Sequence, residues 1–215
     1  MTGGYLANVH ILVVEDNTFA RRMVMEVLRY LGAVGIAYAR DGEEAWHAIA
    51  KDMPDLVLLD WDMQPVNGLE FLRRVRHDPR SPNPYLPVVM VTGFADRAHV
   101  FGAREAGVNE YVVKPVSAKA LLDRIQAVIE RPRRYVRIGK YFGPDRRRKD
   151  KQFVGFDKRG LERKPARPAI APSADMRQEE INALFNPDDV PPPPTTPAKG
   201  KKDEEPDLNK PDKKG

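Results

Sequence analysis

Hydrophobic and polar positions divide the first 130 residues into two kinds of block. Aliphatic runs at 9–14, 34–39, 55–59, 86–91 and 109–113 are near-continuous rather than alternating, the pattern of strands covered on both faces. We number them β1 to β5. The intervening blocks carry apolar residues at helical spacing. In 19–31 (α1) these are Phe19, Met23, Val27 and Leu31, which are expected to face the core, with Asn17 or Thr18 as N-cap and Gly32 as stop. Asp41-Gly42-Glu43-Glu44 opens α2, which runs through Ala45, Trp46, Ile49 and Ala50 and ends before Pro54. Residues 68–77 form α3 with Leu69, Leu72 and Val75 inward. A weaker helix, α4, covers 96–106, interrupted by Gly102 and stopped by Gly107; Ser117 caps α5, which runs to about residue 129.

Five strands alternating with five helices predict a flavodoxin-like (βα)5 fold, an α/β doubly wound parallel sheet in the order 2-1-3-4-5. The domain is expected over 8–130, after a short extension at 1–7. Beyond residue 130 the pattern stops, and so does the charge balance. Residues 1–130 carry 14 Lys/Arg and 17 Asp/Glu, 131–167 carry 15 and 4, and 168–215 carry 7 and 10. The middle segment interleaves its cations with Tyr135, Tyr141, Phe142, Phe153 and Phe156 without sustained periodicity; Tyr141 to Arg148 reads as a short linear element. Residues 168–215 are Pro-rich and charged, and a largely disordered tail is expected. Within it 175–186 can form a short helix with Ile181, Leu184 and Phe185 on one stripe.

Composition narrows the functional classes. There is no cysteine, which excludes disulfides and thiolate metal sites. The N-terminus lacks a signal-peptide pattern and no apolar run reaches spanning length, so a cytoplasmic protein without membrane insertion is expected. His10, His47, His77 and His99 have no ligand spacing and receive no role.

Chemistry concentrates at the carboxyl ends of the strands, where open α/β sheets bind ligands. Glu15 and Asp16 follow β1, Asp60 follows β3, Thr92 follows β4 and Lys114 follows β5. Three converging carboxylates call for a hard divalent cation, and Mg²⁺ prefers oxygen ligands completed by water and phosphate. Thr92 can donate to a phosphoryl oxygen, Lys114 can act as a point charge, and Asp60 is the natural nucleophile for an acyl phosphate.

Val13-Val14-Glu15-Asp16-Asn17, Leu58-Leu59-Asp60-Trp61-Asp62-Met63, Val91-Thr92-Gly93 and Tyr111-Val112-Val113-Lys114-Pro115, in this order and at these separations, resemble the receiver domain of two-component response regulators, of the chemotaxis type. The resemblance implies that Asp60 accepts phosphate from a histidine kinase or phosphotransfer protein. It implies Mg²⁺ held by Asp16, Asp60, the backbone carbonyl of Asp62 and, through water, Glu15. Thr92 and Tyr111 would form a switch that remodels the α4-β5-α5 face for a downstream protein target, and Lys114-Pro115 is a candidate cis bond. Such a protein is a signalling switch that catalyses its own Mg²⁺-dependent phosphorylation and dephosphorylation, not a conventional enzyme. Three positions depart from the family or tune it. Pro65 stands one residue later than usual, and Asp62 and Phe94 occupy positions that influence phosphoryl lifetime. Trp61 is expected to line the pocket and Trp46 to pack in the core.

Two other readings stay open on the residues. Asp60-Trp61-Asp62 imitates the nucleophile pair of haloacid dehalogenase phosphatases, although that family's pattern begins at the first strand and has Thr or Val where this chain has Gln64. A phosphate-independent binding module with a nucleic-acid-binding basic tail is the other; no helix-turn-helix pattern is visible, and direct DNA binding is not expected. Finally, Gln178 to Phe185 resembles the N-terminal peptide by which flagellar motor switch proteins bind chemotaxis-type receivers. It is expected to dock on an α4-β5-α5 face, its own or a neighbour's, preferentially when the receiver is phosphorylated.

Overall fold

A computed structural model describes residues 4–146 and 175–185. Its central sheet is parallel, in the order β2-β1-β3-β4-β5, built from β1 (Ile11–Val14), β2 (Ile36–Ala39), β3 (Leu56–Leu59), β4 (Val88–Thr92) and β5 (Glu110–Val113). The order reverses between β1 and β3, where Val14 is level with Leu59, so the residues that follow these two strands emerge side by side. Alternate strand residues feed two cores. Leu12, Val14, Val57, Leu59, Val88, Met90 and Tyr111 face one side. Ile11, Val13, Leu56, Leu58, Val89, Val91 and Val112 face the other. Covering both faces of the sheet explains why the runs are continuous, each buried aliphatic contributing roughly 1.5–3 kcal/mol.

Helices α1 (Thr18–Tyr30), α2 (Gly42–Asp52), α3 (Gly68–His77), α4 (Arg97–Ala106) and α5 (Ala118–Glu130) start at side-chain caps. Asn17, Asp41, Asn67, Asp96 and Ser117 each accept from the first-turn amides, which have no partner within the helix. Helix α4 runs unbroken through Gly102 and ends at Gly107 in the left-handed conformation. The inward stripe of α1 differs from the expected one. Phe19 and Met23 are exposed, Val24 and Leu28 are buried, and Val27 and Leu31 pack at the edge of the core. Both stripes have helical spacing; the one nearer β1 and β3 is chosen by the angle at which the helix leaves Asn17.

The basic segment also departs from the expectation of a linear element. Tyr135–Ile138 (β6) and Tyr141–Pro144 (β7) pair as an antiparallel hairpin with a left-handed Gly139 at its turn. Its β7 strand is buried against α3 and α4. A Cβ on Gly143 would lie 2.7 Å from the Gly107 Cα, so the hairpin touches the end of α4 backbone to backbone. Arg76 of α3 is 1% exposed and locks the junction, donating to the carbonyls of Pro84, Leu86 and Gly107 and to Asn109 Oδ1 at 2.8–3.2 Å. Asn109 Oδ1 also accepts from the Tyr135 hydroxyl at 3.1 Å. Apolar surface that the hairpin cannot cover alone is covered by the domain it sits on. Within the tail, Gln178–Phe185 forms a helix, α6, against β5. Of the tail expected to be disordered, 168–174 and 186–215 lie outside the described residues, as do 147–167 of the basic segment.

Candidate functional site

Parallel ladder bonds bring the strand ends together. The Asp60 amide donates to Val14 O at 2.9 Å, the Glu15 amide to Ala39 O at 3.1 Å and the Lys114 amide to Thr92 O at 2.8 Å. Arg21, one turn into α1, folds back and donates to the carbonyls of Glu15 at 2.7 Å and Asp16 at 3.3 Å, fixing the loop after β1. Opposite it, the Gly68 amide opening α3 donates to Trp61 O at 3.0 Å, and the Gly68 Cα packs so close to the Asp60 carbonyl that a Cβ would lie 1.9 Å from it.

In this frame Glu15 and Asp60 are buried, Asp16 is exposed, and one carboxylate oxygen from each lies within 4.8 Å of the others. Lys114 Nζ reaches across to Glu15 Oε2 at 2.6 Å and Asp60 Oδ1 at 3.2 Å. Burial raises the pKa of both buried carboxyls, and Lys114 opposes that rise. Burial by itself would lower the lysine's pKa, but its bonds to Glu15 and Asp60 outweigh it and the net shift is upward. Three carboxylates facing one ammonium leave a net negative, all-oxygen site, which a small hard dication complements.

Thr92 is buried, and its hydroxyl accepts from the Phe94 amide at 3.5 Å. Tyr111 is fully buried with its ring inward; its hydroxyl donates to Phe94 O at 2.7 Å, and burial raises its pKa. The loop from Thr92 to Phe94 therefore links these two residues. Asp62 is exposed. Lys114-Pro115 is cis, as expected, and Gln64-Pro65 is cis as well. Trp46 is core, beneath the Arg74 guanidinium at 4.0 Å. Trp61 is half-buried beside Asp60, edge-on to His99 at 4.9 Å and to Phe94 at 6.2 Å.

Sequence reasoning missed three contributors. His99 stacks on Phe94 at 4.1 Å and its Nδ1 lies 2.5 Å from Asp96 Oδ2, so it props the aromatic cluster at the mouth of the site. Gly68 had no signal beyond being a glycine at a helix start. Gln178 is the third: its side-chain amide accepts from Val113 N at 2.8 Å and donates to Tyr111 O at 2.9 Å. The predicted anchors accompany it, Ile181 and Phe185 buried in the core cluster and Leu184 packed at its margin, with Phe185 stacked on Tyr111 at 6.1 Å.

Known proteins carry the same arrangement. The family model of the response regulator receiver domain matches residues 11–126. Chemotaxis protein CheY of Pseudomonas aeruginosa is 40% identical over 121 residues, covering 56% of this chain and 96% of its own length. CheY-3 of Vibrio cholerae is 37% identical over 124 residues, covering 58% and 94%. Among solved structures, Vibrio cholerae CheY4 superposes with a TM-score of 0.52 at 28% identity, covering 56% of this chain and 98% of that one. A CheY-like receiver domain protein from Methanospirillum hungatei gives 0.50 at 27% identity, covering 57% and 94%. The haloacid dehalogenase reading fails against these matches, because Asp60 ends the third strand of a sheet whose whole length follows the receiver pattern. With its strand order, its acidic cluster and its lysine in place, this chain belongs to the response regulator receiver domain family.

Proposed function

We propose that Asp60 accepts a phosphoryl group from a histidine kinase or phosphotransfer protein and that the chain signals through phosphorylation-dependent protein contacts. The observation that carries this reading is the convergence of Glu15, Asp16, Asp60 and Lys114 from three strand ends. An Asp60 carboxylate oxygen attacks phosphorus, a P–O bond forms, and the P–N bond to the donor imidazole breaks with its electron pair leaving on nitrogen. Lys114 balances charge on the transferred oxygens, and Thr92 donates its hydroxyl proton to one of them. Asp16 and Asp60, with the Asp62 carbonyl and Glu15 through water, would hold Mg²⁺, which supplies Lewis-acid neutralisation of the phosphoryl oxygens. Asp62 and Phe94, at the rim, set how fast water removes the group. Tyr111, bonded to the Thr92–Phe94 loop, carries the change to the α4-β5-α5 face, where a downstream protein binds.

Trp61 reports on the site directly. In a Trp46→Phe background, its fluorescence is expected to change on titration with Mg²⁺ and again with a small acyl phosphate, with one phosphoryl group bound per chain. Asp60→Asn abolishes the second change and, because Asp60 is also a Mg²⁺ ligand, weakens the first. Catalytic turnover of a phosphomonoester, or an unaltered second change in Asp60→Asn, refutes the proposal.

A further inference from the structure

Strand β5 is the edge of the sheet among the described residues, where the outward backbone groups on its free side have no strand partner. Gln178 meets two of them, Val113 N–H and Tyr111 C=O, and so pairs the edge as one residue of a sixth strand would. Its position is braced by Asn182 Oδ1 at 2.8 Å, one helical turn on. Ile181 and Phe185, three and seven residues after Gln178, fall on the same face and are 0% and 1% exposed. Upstream, the Met176 amide donates to Ala95 O at 2.8 Å. The contacts made with the domain fall on β5 and on the loop between Thr92 and Asp96. Against α5 the fit is looser: a cavity of about 200 Å³ remains, lined by Ser117, Lys119, Asp123 and Arg124 on one side and Gln178 and Asn182 on the other.

We infer that residues 176–185 are a resident ligand of the output face, so that a downstream partner using this face must displace them. The inference rests on the reading of α4-β5-α5 as the output face. Phe185 stacks on Tyr111 in its inward position, so the tail recognises that form of the face. Phosphorylation then does not by itself empty the face; the tail raises the partner concentration needed to occupy it, because cis docking is intramolecular.

Two measurements on the full chain test this, both without Mg²⁺ or phosphodonor, so they stand or fall independently of Asp60 chemistry. The first is amide hydrogen exchange at Val113, whose N–H has Gln178 as its acceptor. Exchange is expected to be slow in the parent chain, and at least about ten-fold faster in both Gln178→Ala and Phe185→Asp. In the second, a labelled peptide of sequence 175–186 is titrated onto the parent and onto Phe185→Asp. The variant is expected to bind it at least about ten-fold more tightly. Equal exchange rates or equal peptide affinities overturn the inference. So does protection of Val113 that grows with protein concentration, which would seat the tail on a second copy. Gln178→Ala removes hydrogen bonds to the β5 edge and to Asn182 and leaves the buried apolar contacts in place, which keeps the test decisive if Phe185→Asp disturbs the core.

Discussion

Gly68→Ala perturbs the site without touching any charged group. An alanine Cβ would lie 1.9 Å from the Asp60 carbonyl oxygen and 3.1 Å from Leu59 Cγ, where ordinary contact begins at 3.4 Å. The start of α3 and the end of β3 must therefore separate by about 1.5 Å, overpacking that costs about 1–3 kcal/mol. Neither side yields easily: Asp60 N is tied to Val14 O, and Gly68 N to Trp61 O. A displacement of about 1 Å between a nucleophile and its partners can cost on the order of 100-fold in rate. The Asp60 phosphorylation rate, measured with a small acyl phosphate at saturating Mg²⁺, is expected to fall by about 10- to 100-fold, with a lowered urea midpoint. Gly93→Ala is the control, since it lies just past Thr92 and its Cβ would meet nothing within 4 Å. Gly93→Ala should phosphorylate and unfold as the parent does. A Gly68→Ala protein with the parent's rate and stability would refute the packing argument.

Lys114→Met leaves Glu15 and Asp60 buried without their cation; a loss of about 1–3 kcal/mol in urea unfolding and loss of Asp60 labelling are expected, and unchanged labelling would count against the role given to the lysine. Phe142→Ala empties a buried aromatic site between the hairpin and α3/α4, and should cost about 2–4 kcal/mol by the same assay. A loss below about 0.5 kcal/mol would mean that the hairpin is not part of the folded domain. Finally, because Phe185 stacks on inward Tyr111, a phosphoryl mimic that favours the same position should slow Val113 exchange further, as linkage requires. Faster exchange would show that phosphorylation expels the tail.

What was legible in the sequence depended on range. Continuous aliphatic runs mark strands buried on two faces, and residues such as Asn17, Asp41 and Ser117 announce helix starts, because both signals are settled by neighbours along the chain. A parallel sheet with helical crossovers sends every strand end to one edge, so Glu15, Asp16, Asp60, Thr92 and Lys114 could be grouped before any coordinates. Tertiary structure decided the rest. Phe19 and Met23 have the spacing of a core stripe, but only the docking angle of α1 buries Val24 and Leu28 instead. The hairpin at 135–144 has no local pattern, since β7 is covered by α3 and α4, the Tyr135 ring by Arg76 and the Tyr135 hydroxyl by Asn109. Gln178 could not be singled out as the residue that meets the β5 edge. Its partners are 65 and 67 positions away, and a hydrogen bond to a backbone edge leaves no trace in the spacing of side chains.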